Sequence, residues 1–142
     1  MTSTVTTTAV KRSDFFDISD ACRLLAARKN SPVELLDHYL MRISSVDAKL
    51  HSYITVLSDR ARIAARRAES EIANGRWKGP LHGIPFGVKD NYHVAGVRTT
   101  GGSRLMLDFV ADETSTIVDM LEAQGAILLG KMNTWEYGTG TG

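Results

Sequence analysis

The feature that most constrains the fold is a short apolar run at 126–129, enclosed by Gly125 and Gly130. A continuous apolar run of this length is typical of a strand that is buried on both faces of a sheet. A helix is predicted just before it, at 116–124, and a β-prone run lies further upstream at 84–88. Strand, helix and strand at this spacing predict an α/β fold, with a parallel or mixed sheet covered by helices.

The N-terminal half is predicted to be mainly helical. A first helix begins near Ile18, with Asp17 or Ser19 as its N-cap, and ends near Asn30. The signal for the second helix is stronger, because a serine, a proline and a glutamate follow one another at the spacing of a capping box (Ser31, Pro32 and Glu34). The remaining elements of this half are a short strand and an Ala- and Arg-rich helix, predicted at 52–57 and 58–74.

Composition excludes several classes of protein. The chain has 142 residues, of which 43% are hydrophobic and 23% charged, with a net charge of +1, so no broad basic field invites nucleic acid. The single cysteine, Cys22, excludes an internal disulfide and fits a reducing cytoplasm. No apolar run approaches the roughly 20 residues of a membrane helix. Residues 1–13, which begin with an uncharged Thr-rich segment, are predicted to form a flexible tail, and 14–142 the folded portion.

Lys89 is the candidate for chemistry, because it stands at the end of the predicted strand at 84–88. Burial disfavours the charged form of an amine, and a lysine held neutral can act as a general base towards a hydroxyl nucleophile. The alternative is a surface lysine paired with Asp90, and spacing alone favours this alternative, since lysines are mostly exposed.

The other polar residues are predicted to be structural. The four histidines show no ligand spacing, so no metal site is predicted, and His82 is expected to make a structural hydrogen bond. Ser103, after two glycines, is interpreted as a turn or cap residue. The remaining residues of note are interpreted as a solvated helix face of arginines and as packing residues (Arg60, Arg62, Arg66 and Arg67; Cys22, Trp77 and Trp135).

Several blocks in order along the chain resemble the amidase signature family. The block at 79–91, GPLHGIPFGVKDN, resembles the first conserved block of that family. The similarity continues through Gly96, the threonine pair and the Gly-Ser pair at 99–103, then through GAILLGKMN at 125–133 with Glu136. The segment SPVEL at 31–35 resembles the N-terminus of the family, so that the resemblance covers roughly 18–142.

The resemblance implies an α/β fold whose mixed central sheet has helices on both faces. It also implies hydrolysis of carbon–nitrogen bonds in amides by a Ser-cisSer-Lys triad, in which Lys89 matches the catalytic lysine. The two serines belong to a Gly- and Ser-rich block that follows the position of Gly142. The expectation is therefore an N-terminal portion of an amidase domain at 14–142, truncated before the serines, inactive alone and without a cofactor.

Two alternatives stay open. One is the A subunit of a glutamine-dependent tRNA amidotransferase, which passes ammonia to a partner protein. The other is a non-catalytic fragment or binding module, with unpaired sheet edges and exposed apolar surface. The expected partner is a small-molecule amide; a partner subunit of an amidotransferase and a second copy of the chain stay open as alternatives, and neither a membrane nor nucleic acid is expected.

Overall fold

The computed structural model describes residues 17–139, so the predicted tail at 1–13 and its boundary lie outside the described residues. Within that range the chain forms four α-helices, three strands and two short 3₁₀ helices. In chain order they are α1 (Ile18–Ala26), α2 (Pro32–Leu50), β1 (Tyr53–Val56), α3 (Ser58–Ala73), β2 (Pro85–Lys89), the 3₁₀ helix Arg104–Met106, α4 (Thr116–Ala123), β3 (Ile127–Met132) and the 3₁₀ helix Glu136–Gly138. In this part of the chain no helix is both long and apolar enough to cross a bilayer.

The helix starts follow the capping signals in the sequence. Asp17 is the N-cap of α1, and the capping box of α2 is confirmed: the Ser31 hydroxyl accepts from the Glu34 N–H at 3.1 Å, while the Glu34 carboxylate accepts from the Ser31 N–H at 2.9 Å. The helix α1 ends at Ala26, before the predicted end at Asn30. Arg28 there adopts a left-handed backbone with φ of 53°, which a helix cannot continue through.

The sheet is mixed, with strand order β1-β3-β2. The strand β3 lies in the centre, antiparallel to β1 and parallel to β2, and all its residues except Met132 are buried. This confirms the strand predicted at 126–129 and the α/β class. Gly130 allows β1 to approach, because a Cβ there would lie 2.2 Å from the carbonyl oxygen of Thr55.

Helices cover both faces of β3. On one face the side chains of α2 and α3 pack against Ile127 and Leu129. On the other face Val118 of α4 packs with Val88, Val94 and Leu128. The helix α1 packs beside α2 and the residue that precedes β2, through a smaller cluster of Ala21, Leu25, Leu35 and Ile84. The core thus fixes β2 and β3 side by side, and with them the site at their ends.

Several large apolar residues of the described chain are exposed. Leu105 is 87% exposed, and four neighbours in sequence or in α4 are also exposed (Leu107, Val110, Ile117 and Met120). Among residues 17–139, β1 and β2 are the edge strands of the three-stranded sheet. Edge strands and exposed apolar residues are the two features expected of a non-catalytic fragment in the sequence analysis.

Candidate active site

The parallel strands β2 and β3 end side by side, and Lys89 is the last residue of β2. Lys89 and Met132 are partners in the register of these strands. In sheets with parallel strands, ligands bind outside the carboxyl ends of the strands. A cleft of about 530 Å³ opens at this position, and Lys89 lines it together with residues from the end of α2 and the segment after β3 (Leu50, His51, Asn133, Thr134 and Trp135).

Lys89 is exposed, which differs from the burial considered from the sequence. The reason is its place at the tip of an edge strand, where no described segment covers it. The alternative of a surface lysine is confirmed in its exposure, but the pairing with Asp90 is wrong, because the Asp90 carboxylate binds another lysine. Among the described residues the amine of Lys89 has no hydrogen-bond or ion-pair partner, so it is available to a group that enters the cleft.

The buried lysine of the site is Lys131, which was not predicted from the sequence. Its side chain and that of Asp90 are both 0% exposed, with 3.0 Å between Nζ and Oδ1. The Lys131 amine also donates to the hydroxyl of Thr99 at 2.8 Å. Burial lowers the pKa of Lys131, and the hydrogen bond and charge of Asp90 act in the opposite direction. A charged residue inside the apolar strand at 127–132 was the signal that could have identified it.

Asp90 ties the end of β2 to the loop at 99–103. Its Oδ2 accepts hydrogen bonds from the N–H of Thr100 at 2.8 Å and from the hydroxyl of Thr100 at 2.5 Å. Its main-chain carbonyl accepts from the N–H of Gly101 at 3.2 Å, and its own N–H donates to the carbonyl of Met132 at 2.9 Å. The loop, β2 and β3 therefore meet at this one carboxylate.

Ser103 has a structural role, as predicted. Its side chain caps the 3₁₀ helix that follows by accepting from the Leu105 N–H at 3.3 Å. Its hydroxyl donates to Glu136 Oε1 at 2.6 Å, which joins the loop to the segment after β3. The Gly102 N–H donates to the Thr100 hydroxyl at 3.1 Å. Because these groups already have partners, the loop offers neither a free hydroxyl nucleophile at Ser103 nor a free donor at Gly102.

His82 lies at the opposite end of the sheet, before β2, and makes the structural hydrogen bonds that were expected. Its Nε2 lies 3.1 Å from the Glu71 carboxylate, and its Nδ1 accepts from the main-chain N–H of Lys78 at 3.2 Å. The second bond requires Nδ1 without a proton, so Nε2 donates to Glu71. Burial lowers the pKa of His82. The hydrogen bond from the Lys78 side chain is the main cause that lowers the pKa of Glu71 to about 2.

The remaining candidates lie away from the cleft or on the surface. Three of the four arginines on α3 form ion pairs with carboxylates at the surface (Arg60 with Glu122, Arg62 with Asp37, Arg67 with Glu71). Cys22 is half-buried in α1. Trp77 packs near the His82 ring, with 5.6 Å between centroids, whereas Trp135 is 61% exposed in the wall of the cleft rather than packed. The described part of the chain contains no group of three His, Cys, Asp or Glu residues arranged to hold a metal.

The chain is similar in sequence to amidases and to amidotransferase A subunits. A family model described as Amidase matches residues 34–142. An amidase of Pseudomonas putida is 41% identical over 123 residues, covering 87% of this chain and 26% of that protein. The A subunit of the mitochondrial glutamyl-tRNA(Gln) amidotransferase of Ixodes scapularis is 40% identical over 116 residues, covering 82% of this chain and 23% of that protein.

Solved structures agree with these relatives. The native peptide amidase of Stenotrophomonas maltophilia superposes with a TM-score of 0.80 at 34% identity, covering 85% of this chain and 25% of that one. A bacterial aryl acylamidase of the amidase signature enzymes superposes with a TM-score of 0.79 at 27% identity, covering 86% and 26%. The chain therefore spans about a quarter of the length of the proteins that it matches.

Proposed function

Since this chain belongs to the amidase signature family, we propose that Lys89 is the general base of an enzyme that hydrolyses carboxamides. The two serines of the Ser-cisSer-Lys triad are supplied by polypeptide outside the 142 residues, and these residues alone are inactive. We also place the protein in the cytoplasm, because a lone cysteine such as Cys22 suits a reducing compartment.

The observation that carries this proposal is the amine of Lys89, which has no partner among residues 17–139 and lies in a cleft at the ends of parallel strands. Three other basic or nucleophilic side chains considered for chemistry already have partners. Lys131 is held by Asp90, Ser103 by Glu136 and His82 by Glu71. Lys89 thus presents to the cleft an amine with room for a partner, and it matches the catalytic lysine of the family.

In the proposed reaction, protons pass along a relay of the two serines and Lys89, once when the acyl-enzyme forms and again when water hydrolyses it. Lys89 accepts the proton of a bridging serine while that serine accepts the proton of the nucleophilic serine. The nucleophilic oxygen bonds to the amide carbon, and the protons return through the same groups to the leaving nitrogen. The carbon–nitrogen bond breaks and leaves an acyl-enzyme. Water then loses a proton to the same relay and attacks the acyl carbon, the bond between the acyl carbon and the serine oxygen breaks, and the relay returns the proton to that serine as the carboxylic acid leaves.

The test uses the complete gene product that contains this chain, assayed for ammonia or amine release from a panel of carboxamides. We expect Lys89→Ala to reduce kcat by roughly 10²–10⁴-fold, the range for loss of a general base. Lys29→Ala, which removes an exposed lysine far along the chain from β2, is the matched control and should leave turnover unchanged. Retention of most activity in Lys89→Ala would reject the role of Lys89.

A second candidate is the A subunit of a tRNA-dependent amidotransferase, because several relatives with 39–43% identity carry that description. In this case Lys89 has the same role, the amide is glutamine, and the ammonia passes to a partner protein. Ammonia release from glutamine that requires an added partner protein would support this candidate. Hydrolysis of simple amides without a partner would count against it.

A further inference from the structure

Lys131 and Asp90 form an ion pair that is fully buried at the ends of the parallel strands. Both side chains are 0% exposed and 3.0 Å separates Nζ from Oδ1. Replacing such a pair with apolar residues of similar volume is often neutral or stabilising, because the loss of hydration offsets the attraction of the charges. Stability alone therefore gives little reason for this pair, whereas the geometry that it imposes is specific.

Asp90 links the pair to Lys89, the residue directly before it. The backbone of Asp90 makes two hydrogen bonds: the Asp90 N–H donates to the carbonyl of Met132 in β3, and the Asp90 carbonyl accepts from the N–H of Gly101. Its side chain is held by two hydrogen bonds from Thr100 as well as by the lysine. The position that follows Lys89 is thus fixed through both its backbone and its carboxylate.

The same contacts separate the two neighbouring side chains. Asp90 lies in the turn directly after β2, and its side chain is buried whereas that of Lys89 is exposed. Asp90 is directed into the protein with Lys131, and Lys89 lines the cleft with Leu50 and Trp135. Because Lys131 occupies the Asp90 carboxylate, Asp90 is not the counter-ion of Lys89.

We propose that Lys131 is a positioning residue that acts through Asp90: it fixes the backbone carrying Lys89 and so directs the Lys89 amine into the cleft. This inference rests on the proposed role of Lys89 as general base. Its effect on turnover follows from geometry, because a displacement of about 1 Å in a reacting group can reduce the rate about 100-fold.

The test compares Lys131→Met with the double variant Asp90→Asn/Lys131→Met in the complete gene product. Lys131→Met leaves a buried carboxylate without its counter-ion, so the unfolding midpoint of this variant should fall. The double variant keeps the side-chain volumes and leaves no uncompensated charge, so its unfolding midpoint should return to the wild-type value. We nevertheless expect its kcat to stay roughly 10- to 100-fold below that of the wild type, with little change in KM. Lys29→Met is the control for removal of an exposed lysine.

Amide hydrogen exchange provides a second result that does not depend on turnover. In the double variant we expect the amides of Thr100 and Gly101 to exchange about tenfold faster or more, since hydrogen bonds to a charged group hold this loop. Exchange in α3 should not change. If the double variant does not fold, Asp90→Asn alone gives the same comparison, because a buried lysine can lose its proton.

Recovery of stability, kcat and slow exchange together in the double variant would overturn the proposal, because the pair would then act only on stability. Persistently fast exchange and low kcat in a stable double variant would support it. If the wild-type gene product hydrolyses no carboxamide, the proposed function fails, and the exchange measurement alone then decides whether the pair holds the backbone next to Lys89.

Discussion

Gly130 provides a direct test of how β1 packs against β3. A Cβ at this position would lie 2.2 Å from the carbonyl oxygen of Thr55 and 3.1 Å from the Cα of Val56, and both are backbone atoms that cannot rotate away. Gly130→Ala should therefore push β1 away from its partners on β3, where Val56 pairs with Gly130 and Thr55 with Lys131. Overpacking costs about 1–3 kcal/mol and a lost hydrogen bond about 1 kcal/mol, so the free energy of unfolding should fall by about 2–4 kcal/mol.

Urea unfolding followed by circular dichroism measures this loss, and amide exchange locates it. Gly75→Ala is the matched control, because Gly75 has φ of 75° but no atom within 4 Å of its Cβ position. Its cost should be only the left-handed backbone strain, about 1–2 kcal/mol, and exchange in β1 should stay slow. If Gly130→Ala loses no more stability than Gly75→Ala, and its β1 amides remain protected, close approach of β1 does not constrain this position and the reasoning is refuted.

Three further predictions concern the groups that the structure assigns to stability. The pKa of His82 lies below its ordinary 6.5, so as the pH falls the unfolded chain binds a proton at this residue before the folded chain does. The free energy of unfolding should therefore fall as the pH drops below 6.5. Urea midpoints measured against pH should not show this dependence in His82→Gln. The pKa of Glu71 is lowered from 4.5 to about 2, so a second loss of stability should occur between those pH values, and it should be absent in Glu71→Gln. Ser103→Ala should lower the free energy of unfolding by about 1 kcal/mol, because the hydrogen bond to Glu136 is lost, and should leave amide turnover within a few-fold of the wild type. A loss of turnover comparable with that of Lys89→Ala would instead assign Ser103 a role in the chemistry.

Local signals in the sequence predicted most of the elements. The capping box at 31–34 determined the start of α2, because its two hydrogen bonds depend only on residues three positions apart. The apolar run at 126–129 predicted the central strand, because burial on both faces leaves no polar alternation. The helix of 58–74 was predicted to within one residue of the observed Ser58–Ala73. The resemblance to the amidase signature family supplied the mixed sheet.

The site was harder to predict, because its arrangement depends on contacts distant in sequence. Asp90 is next to Lys89 along the chain, yet it pairs with Lys131, which is brought beside it by the parallel register of β2 and β3. Spacing along one strand could not reveal that the buried lysine comes from the neighbouring strand. The exposure of Lys89 likewise depends on which segments cover the end of β2, and this is a property of the tertiary structure.

The most direct test of the central claim is the rate at which a fluorophosphonate, a covalent probe of activated serines, labels the complete gene product. If Lys89 activates a serine relay, the wild-type protein should be labelled at one serine. The Lys89→Ala variant should be labelled at a rate at least roughly 10²-fold lower. Lys29→Ala should be labelled at the wild-type rate. Equal labelling of wild type and Lys89→Ala, or the absence of a labelled serine in the wild type, would contradict the role of Lys89 as the general base.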